Sequence, residues 1–189
     1  MSKAKRSNWI IYVLVAMFFG PLLVSWAWFF YFKDISTANT VNQGELITPA
    51  RRISTAGLLN TDTLPPADGL FTEKWTILLV GRNACDANCE NMLYQTRQVW
   101  IRLGKESHRV IRVFAGGVKQ SPDILTSQHQ DALYLYAERI FFEQLQSNAD
   151  LEVFLIDPRG FLVLRYNTPL NPASLYKDLS RLLKYSKIG

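Results

Sequence analysis

The chain has 189 residues, 48% of them hydrophobic and 20% charged, with a net charge of +5, two Cys and two His. That is room for one globular domain and an appendage, and two Cys exclude both a scaffold of several disulfides and a four-thiolate zinc site. Of the 24 aromatics, 10 fall between Trp9 and Phe32, a 24-residue stretch without a charged side chain, which excludes a simple soluble protein.

A helix over residues 9–32 would measure about 36 Å at 1.5 Å per residue, enough to cross a hydrocarbon core of about 30 Å with some tilt. Trp9 and Tyr12 at one end, and Trp26, Trp28 and Tyr31 at the other, are the amphipathic rings that favour the lipid–water interface. Pro21, after Gly20, predicts a kink within the span. Lys3, Lys5 and Arg6 precede it, whereas Lys33 is offset by Asp34. The positive-inside bias therefore predicts residues 1–8 in the cytoplasm and the rest of the chain outside. The run is too long for the apolar region of a cleaved signal peptide, and no clear small-x-small cleavage site follows, so a retained single-pass anchor is expected. Residues 1–34 hold four Lys or Arg and one Asp, leaving 17 positive and 15 negative side chains in the other 155 residues. That balance calls for no nucleic-acid partner, and most of the clustered aromatics belong to the span.

Residues 33–44 are rich in Ser, Thr, Asn and Gln and read as a stalk. In 45–70, short apolar pairs alternate with Pro49, Pro65, Pro66 and Gly69, a pattern that permits a small hairpin. From Trp75 the signal sharpens. Thr76 to Val80 is an almost unbroken apolar run suited to a central strand buried on both faces, and Gly81 ends it. Cys85 and Cys89 follow, opening a helix whose buried face carries Met92, Thr96, Val99, Trp100 and Leu103, with Gly104 as its stop. Val110 to Phe114 reads as a second strand, and a second helix is predicted from Asp131 to Gln146. Val153 to Ile156 and Phe161 to Tyr166 make a hairpin about the type I turn of Asp157, Pro158, Arg159 and Gly160. Asn171 caps a last helix with Pro172 at its first position and Leu175, Leu179, Leu182 and Leu183 as its buried stripe. The order strand, helix, strand, helix, strand, strand, helix is a thioredoxin-like α/β core, here over residues 45–189 and preceded by a single transmembrane helix.

The chemistry rests on Cys85 and Cys89. Four residues apart at a helix start, their Cα atoms can lie within the 4.4 to 6.8 Å that a disulfide tolerates, and in an oxidising compartment they are expected to pair unless a reductant or soft metal intervenes. As thiolates on one turn they could also grip Cu(I). Asp86 and Glu90 bring negative charge beside them, which opposes a second anion; Arg82 is the residue that would offset it. A purely structural bridge is the alternative, but structural bridges usually close long loops, and one between residues this near constrains the unfolded chain little. Cys85, at the more exposed strand-to-helix junction, is the expected attacking thiol, and Cys89 the resolving one. Phosphate-loop, His-x-x-x-His and Gly-x-Ser-x-Gly signatures are missing from the sequence.

An anchored thioredoxin-like domain with Lys74-Trp75-Thr76-Ile77-Leu78-Leu79-Val80-Gly81, Cys85-x-x-x-Cys89 and Phe154-Leu155-Ile156-Asp157-Pro158-Arg159-Gly160 resembles the Sco/SenC family over residues 45–185. The resemblance implies a factor for assembling cytochrome c oxidase. Such a factor faces the periplasm from the bacterial inner membrane, and it delivers copper to the binuclear centre or first reduces the cysteines there. Its partner would be an oxidase subunit or another assembly factor, and its Cu(I) ligands would include Cys85 and Cys89. Two departures stand out. Asp86 and Glu90 occupy the places where the family has Pro after each Cys, and Ala149 falls where the family's ligand His is expected. His108 and His129 read as solvated surface residues, and His129 is the one that a long loop could fold over the site. The expected activity is thiol–disulfide exchange, with Cu(I) handling beside it. The competing reading is a catalytically inert binding domain whose bridge is structural, because fold alone does not fix function.

Overall fold

The structure is a computed structural model and describes residues 9–36, 42–60, 62–67, 69–118 and 130–186. It divides into two compact units at Val41 and Asn42. The first contains helix α1, Trp9–Ser36, with Pro21 inside it. Large apolar side chains from Trp9 to Trp28 point outward on every side of this helix. A helix that is hydrophobic all round is made for a core or a lipid phase, and α1 is long and apolar enough to cross a membrane.

The second unit is one seven-stranded sheet with helices on both faces. Its elements are β1 (Glu45–Arg52), β2 (Leu58–Leu59), β3 (Trp75–Gly81), α2 (Ala87–Arg102), a 3-10 turn (Gly104–Arg109) and β4 (Val110–Gly116). They continue with β5 (Ala132–Ala137), α3 (Arg139–Leu145), β6 (Leu151–Ile156), β7 (Phe161–Asn167) and α4 (Pro172–Tyr185). The strand order is β1-β7-β6-β3-β4-β5-β2. Every residue of β3 is buried, as its almost unbroken apolar run requires of a strand covered on both sides. It runs parallel to β4 and antiparallel to β6. Alternation along β3 sends Ile77 and Leu79 into a core with Met92, Leu93 and Val99 of α2 and Leu175, Leu179 and Leu183 of α4. Leu78 and Val80 go to the opposite core, with Phe141 and Leu145 of α3 and Leu58 and Phe71. Each such side chain, fully buried, contributes about 1.5 to 3 kcal/mol.

The turn between β6 and β7 forms as its residues predict. Asp157 Oδ1 accepts from the Arg159 amide at 2.9 Å and the Phe161 amide at 2.8 Å, and Gly160 takes φ +86°, a left-handed conformation open to glycine at little cost. Asn171 caps α4, accepting from the amides of Ala173 at 3.0 Å and Ser174 at 3.4 Å.

Two expectations are corrected. The segment read as one helix from Asp131 to Gln146 divides into strand β5 and the short helix α3. Leu135 and Ala137 point to one buried face of β5 with period 2, and the parallel register of Arg112 to Gly116 with Ala132 to Tyr136 supplies the hydrogen-bond partners that decide for a strand. Among the described residues of 45–70 the two strands do not pair with each other as a hairpin would. β1 pairs with β7 and β2 with β5, at opposite edges of the sheet.

Two buried charges stabilise the domain. Arg112, 3% exposed, bonds to Asp131, to the Leu93 carbonyl at 2.7 Å and to Thr96 Oγ1 at 3.0 Å. Arg97 Nε reaches the other Asp131 oxygen at 2.8 Å. Asp178, 1% exposed, accepts from the Gln43 and Gly44 amides and from the Tyr166 hydroxyl, each at 2.8 Å. Burial, and then the bond to Asp178, pushes the Tyr166 phenol well above its ordinary range.

Candidate functional site

At the C-terminal end of β3 the chain turns through Arg82 to Asp86 into α2. Asp86 is the cap, its Oδ1 accepting from the Cys89 amide at 3.0 Å, which satisfies one of the helix's free donors. Cys89 therefore sits in the first turn of α2. It is joined to Cys85 in a disulfide with a Cα–Cα distance of 5.1 Å. Cys89 is 3% exposed and packs in the core with Met92 and Leu93, whereas Cys85 is half-buried. The pair is thus asymmetric in the direction that the sequence suggests, with Cys85 the more accessible sulfur.

An open cleft of about 430 Å³ lies against the bridge. One wall comes from the β3–α2 segment, with Asn83, Ala84, Asp86, Asn88 and Cys89. The other comes from the start of β6 and the end of β7, with Ala149, Asp150, Leu151, Asn167 and Thr168. The walls meet because Gly81 pairs with Leu151 and Glu152 with Asn167. Thr168 donates to the Leu151 carbonyl at 2.8 Å, and the Thr168–Pro169 peptide is cis. Asp150, Asn167 and Thr168 were not legible as site residues, since nothing local marks residues that only the sheet register brings beside the cysteines.

Among the described residues Arg82 makes no ion pair with Asp86 or Glu90. Its guanidinium bonds to the carbonyls of Ser147 and, at 3.1 Å, Ala149, and stacks over the Phe142 ring at 4.5 Å. It fixes the loop before β6. Ala149, where the resemblance implies a ligand His, lines the cleft with a methyl group. His108 lies in the 3-10 turn before β4, with Nδ1 2.6 Å from the Lys105 carbonyl. Because β4 runs parallel to β3, that is the end of the sheet away from the cysteines. His129 lies outside the described residues. Among the described residues no group of three His, Cys, Asp or Glu side chains could hold a metal ion. They offer copper two sulfurs, once reduced, and no third ligand, so the implied ligand set is incomplete in them.

The bridge joins a half-exposed residue, Cys85, to a buried one, Cys89, that lines the cleft, and thiol–disulfide exchange is chemistry open to such a pair once reduced. Known structures share this architecture. Copper-bound ScoI from Arabidopsis thaliana superposes with a TM-score of 0.56 at 17% identity, over 72% of this chain and 99% of that one. BsSco, described as a member of the Sco family of cytochrome c oxidase assembly proteins with a disulfide switch, gives 0.54 at 12% identity over 75% and 99%. The thioredoxin domain of a thiol-disulfide oxidoreductase from Bacteroides vulgatus gives 0.52 at 12% identity over 70% and 98%. At these identities the likeness is one of fold, and it agrees with the Sco-like resemblance of the sequence. A search of curated proteins finds no sequence match. The family model described as transmembrane-like, thioredoxin-like, C-terminal domain matches residues 75–186, more than half of the chain, and the chain belongs to that family.

Proposed function

We propose that this chain is a membrane-anchored, Sco-like thiol–disulfide protein that acts through Cys85 and Cys89 on a client in cytochrome c oxidase assembly, outside the bacterial inner membrane. The observation that carries the reading is the Cys85–Cys89 bridge across the first turn of α2, half-exposed at Cys85 and bordered by a cleft. In the reduced protein the Cys85 thiolate attacks one sulfur of a client disulfide, and the client's other sulfur leaves as a thiolate. Cys89 then attacks Cys85 Sγ, the bridge re-forms, and the client departs with both cysteines reduced. Two electrons pass to the client, and a dithiol donor restores the pair. Asp86 and the exposed Glu90 in the first turn of α2 oppose a second negative charge there, which favours the closed bridge and so donation of electrons.

The apolar helix α1 supports a single-pass anchor, and the basic residues before it support a cytoplasmic N-terminus. The oxidase as destination rests on the Sco relatives, one of which is described as an oxidase assembly protein. Copper enters only as a Cu(I) cargo held by two thiolates, and no step above depends on it.

The test uses the full chain. Cys85→Ser should abolish exchange with a client-derived disulfide peptide and lower oxidase maturation in a strain lacking the native copy. The pair should reduce at a potential above about −300 mV, the range of exchanging rather than structural bridges. Parent-level maturation by Cys85→Ser would overturn the reading in favour of a binding domain with a structural bridge.

A further inference from the structure

We propose that the cleft beside Cys85 and Cys89 selects clients whose cysteines are flanked by Lys or Arg, with Asp86 and Asp150 as the specificity-determining residues. The inference rests on the exchange reading and deepens it. The cleft contains two charged residues, both carboxylates on facing walls, and its remaining polar side chains are the neutral Asn83, Asn88, Asn167 and Thr168. Glu90 adds a third negative charge on the same turn of α2 as Cys89. The cation nearest in sequence, Arg82, does not line the cleft: its guanidinium holds the Ser147 and Ala149 carbonyls and stacks on Phe142, and among the described residues it makes no ion pair with Asp86 or Asp150. Asp86 spends one oxygen on the Cys89 amide. Among the described residues the exposed Asp150 carboxylate has no hydrogen bond or ion pair.

The geometry of exchange makes these charges matter. A mixed disulfide with Cys85 ties the client's cysteine next to Asp86, and the client's flanking residues are then one or two steps of about 3.8 Å from the bond. That is inside the screening length of about 8 Å at physiological ionic strength. A cationic flank is attracted by both walls and an anionic flank repelled by both. Such complementarity acts on encounter and on rejection of wrong partners.

The experiment follows reduced full-length protein in non-ionic detergent as it reacts with two small disulfides of opposite charge. These are cystamine, with two ammonium groups, and 3,3′-dithiodipropionate, with two carboxylates. Their leaving thiols differ, so the readout is the change in the rate ratio between proteins. Asp150→Lys should lower the cystamine-to-dithiodipropionate ratio by about tenfold, and Asp150→Asn and Asp86→Asn by about threefold each. Asn caps a helix as well as Asp does, so Asp86→Asn removes the charge without removing the cap. Raising salt to about 0.5 M should shrink the parent's ratio toward that of the variants. A ratio unchanged within twofold in Asp150→Lys and Asp150→Asn, with both disulfides still reacting, would overturn the specificity and leave exchange standing. Reaction with neither disulfide by the parent would overturn exchange itself, and the specificity with it.

Discussion

Helix α2 meets charge at two places, and the two are built in opposite ways. At its N-terminus Asp86 faces the cleft with Asp150 across from it and no cation among the cleft-lining residues. Around Leu93 and Thr96, Arg112 is sunk against the helix and held by Asp131, which Arg97 also binds. Burying a guanidinium is costly unless its donors are met. Here burial lowers the affinity of Arg112 for its proton, while the Asp131 charge opposes that loss. At the second place both terminal nitrogens of Arg112 are bonded, to Asp131, Leu93 and Thr96, while Nε is left without a partner. The first leaves, among the described residues, two carboxylates without an ion-pair partner beside the disulfide.

The comparison breaks most visibly at the buried end. Asp131→Asn strands Arg112 and should lower the unfolding free energy by about 3 kcal/mol, measured by urea denaturation of the detergent-solubilised chain. Its pH dependence sharpens the point. Burial resists ionisation of Asp131, but the Arg97 bond and the Arg112 charge outweigh it and hold the carboxyl below its ordinary value. A carboxyl so depressed contributes stability above about pH 4, and that contribution is lost as pH falls through the folded value. The acid-side loss attributable to this residue should vanish in Asp131→Asn.

Smaller effects belong to the open end. Reducing the Cys85–Cys89 bridge, which spans a sequence separation of 4, should cost about 2 kcal/mol on the loop-entropy scale, read from the same denaturation with and without a reductant. Asp86→Ala removes the cap of α2 and should cost about 1 kcal/mol. A cost at Asp86 as large as that at Asp131 would abolish the contrast, because the cleft carboxylate would then be structural.

Strand β3 was legible because a strand covered on both faces favours a nearly continuous apolar run, and α2 and α4 because each covers one face and repeats every three to four residues. Edge strand β1 was not, since its side chains are mostly exposed, Pro49 interrupts it, and its register with β7 shifts between Leu46 and Arg51. β5 misled because Leu133, Tyr134, Leu135 and Tyr136 fit a helix stripe or a strand face equally, and only pairing with β4 decides. In the site, the cysteines and Ala149 could be placed by counting along the chain. Asp150, Asn167 and Thr168 join them only through pairings between residues far apart in sequence.

The Asp178 carboxylate has a mechanical consequence. It grips the first two amides of the sheet domain's entry, Gln43 and Gly44, together with Tyr166 on β7. Tension arriving along the chain from residue 42 is therefore taken up by α4 and by the β1–β7 edge. β7 also carries Asn167 into the cleft wall, so the carboxylate that holds the entry and the cleft beside the disulfide share one strand.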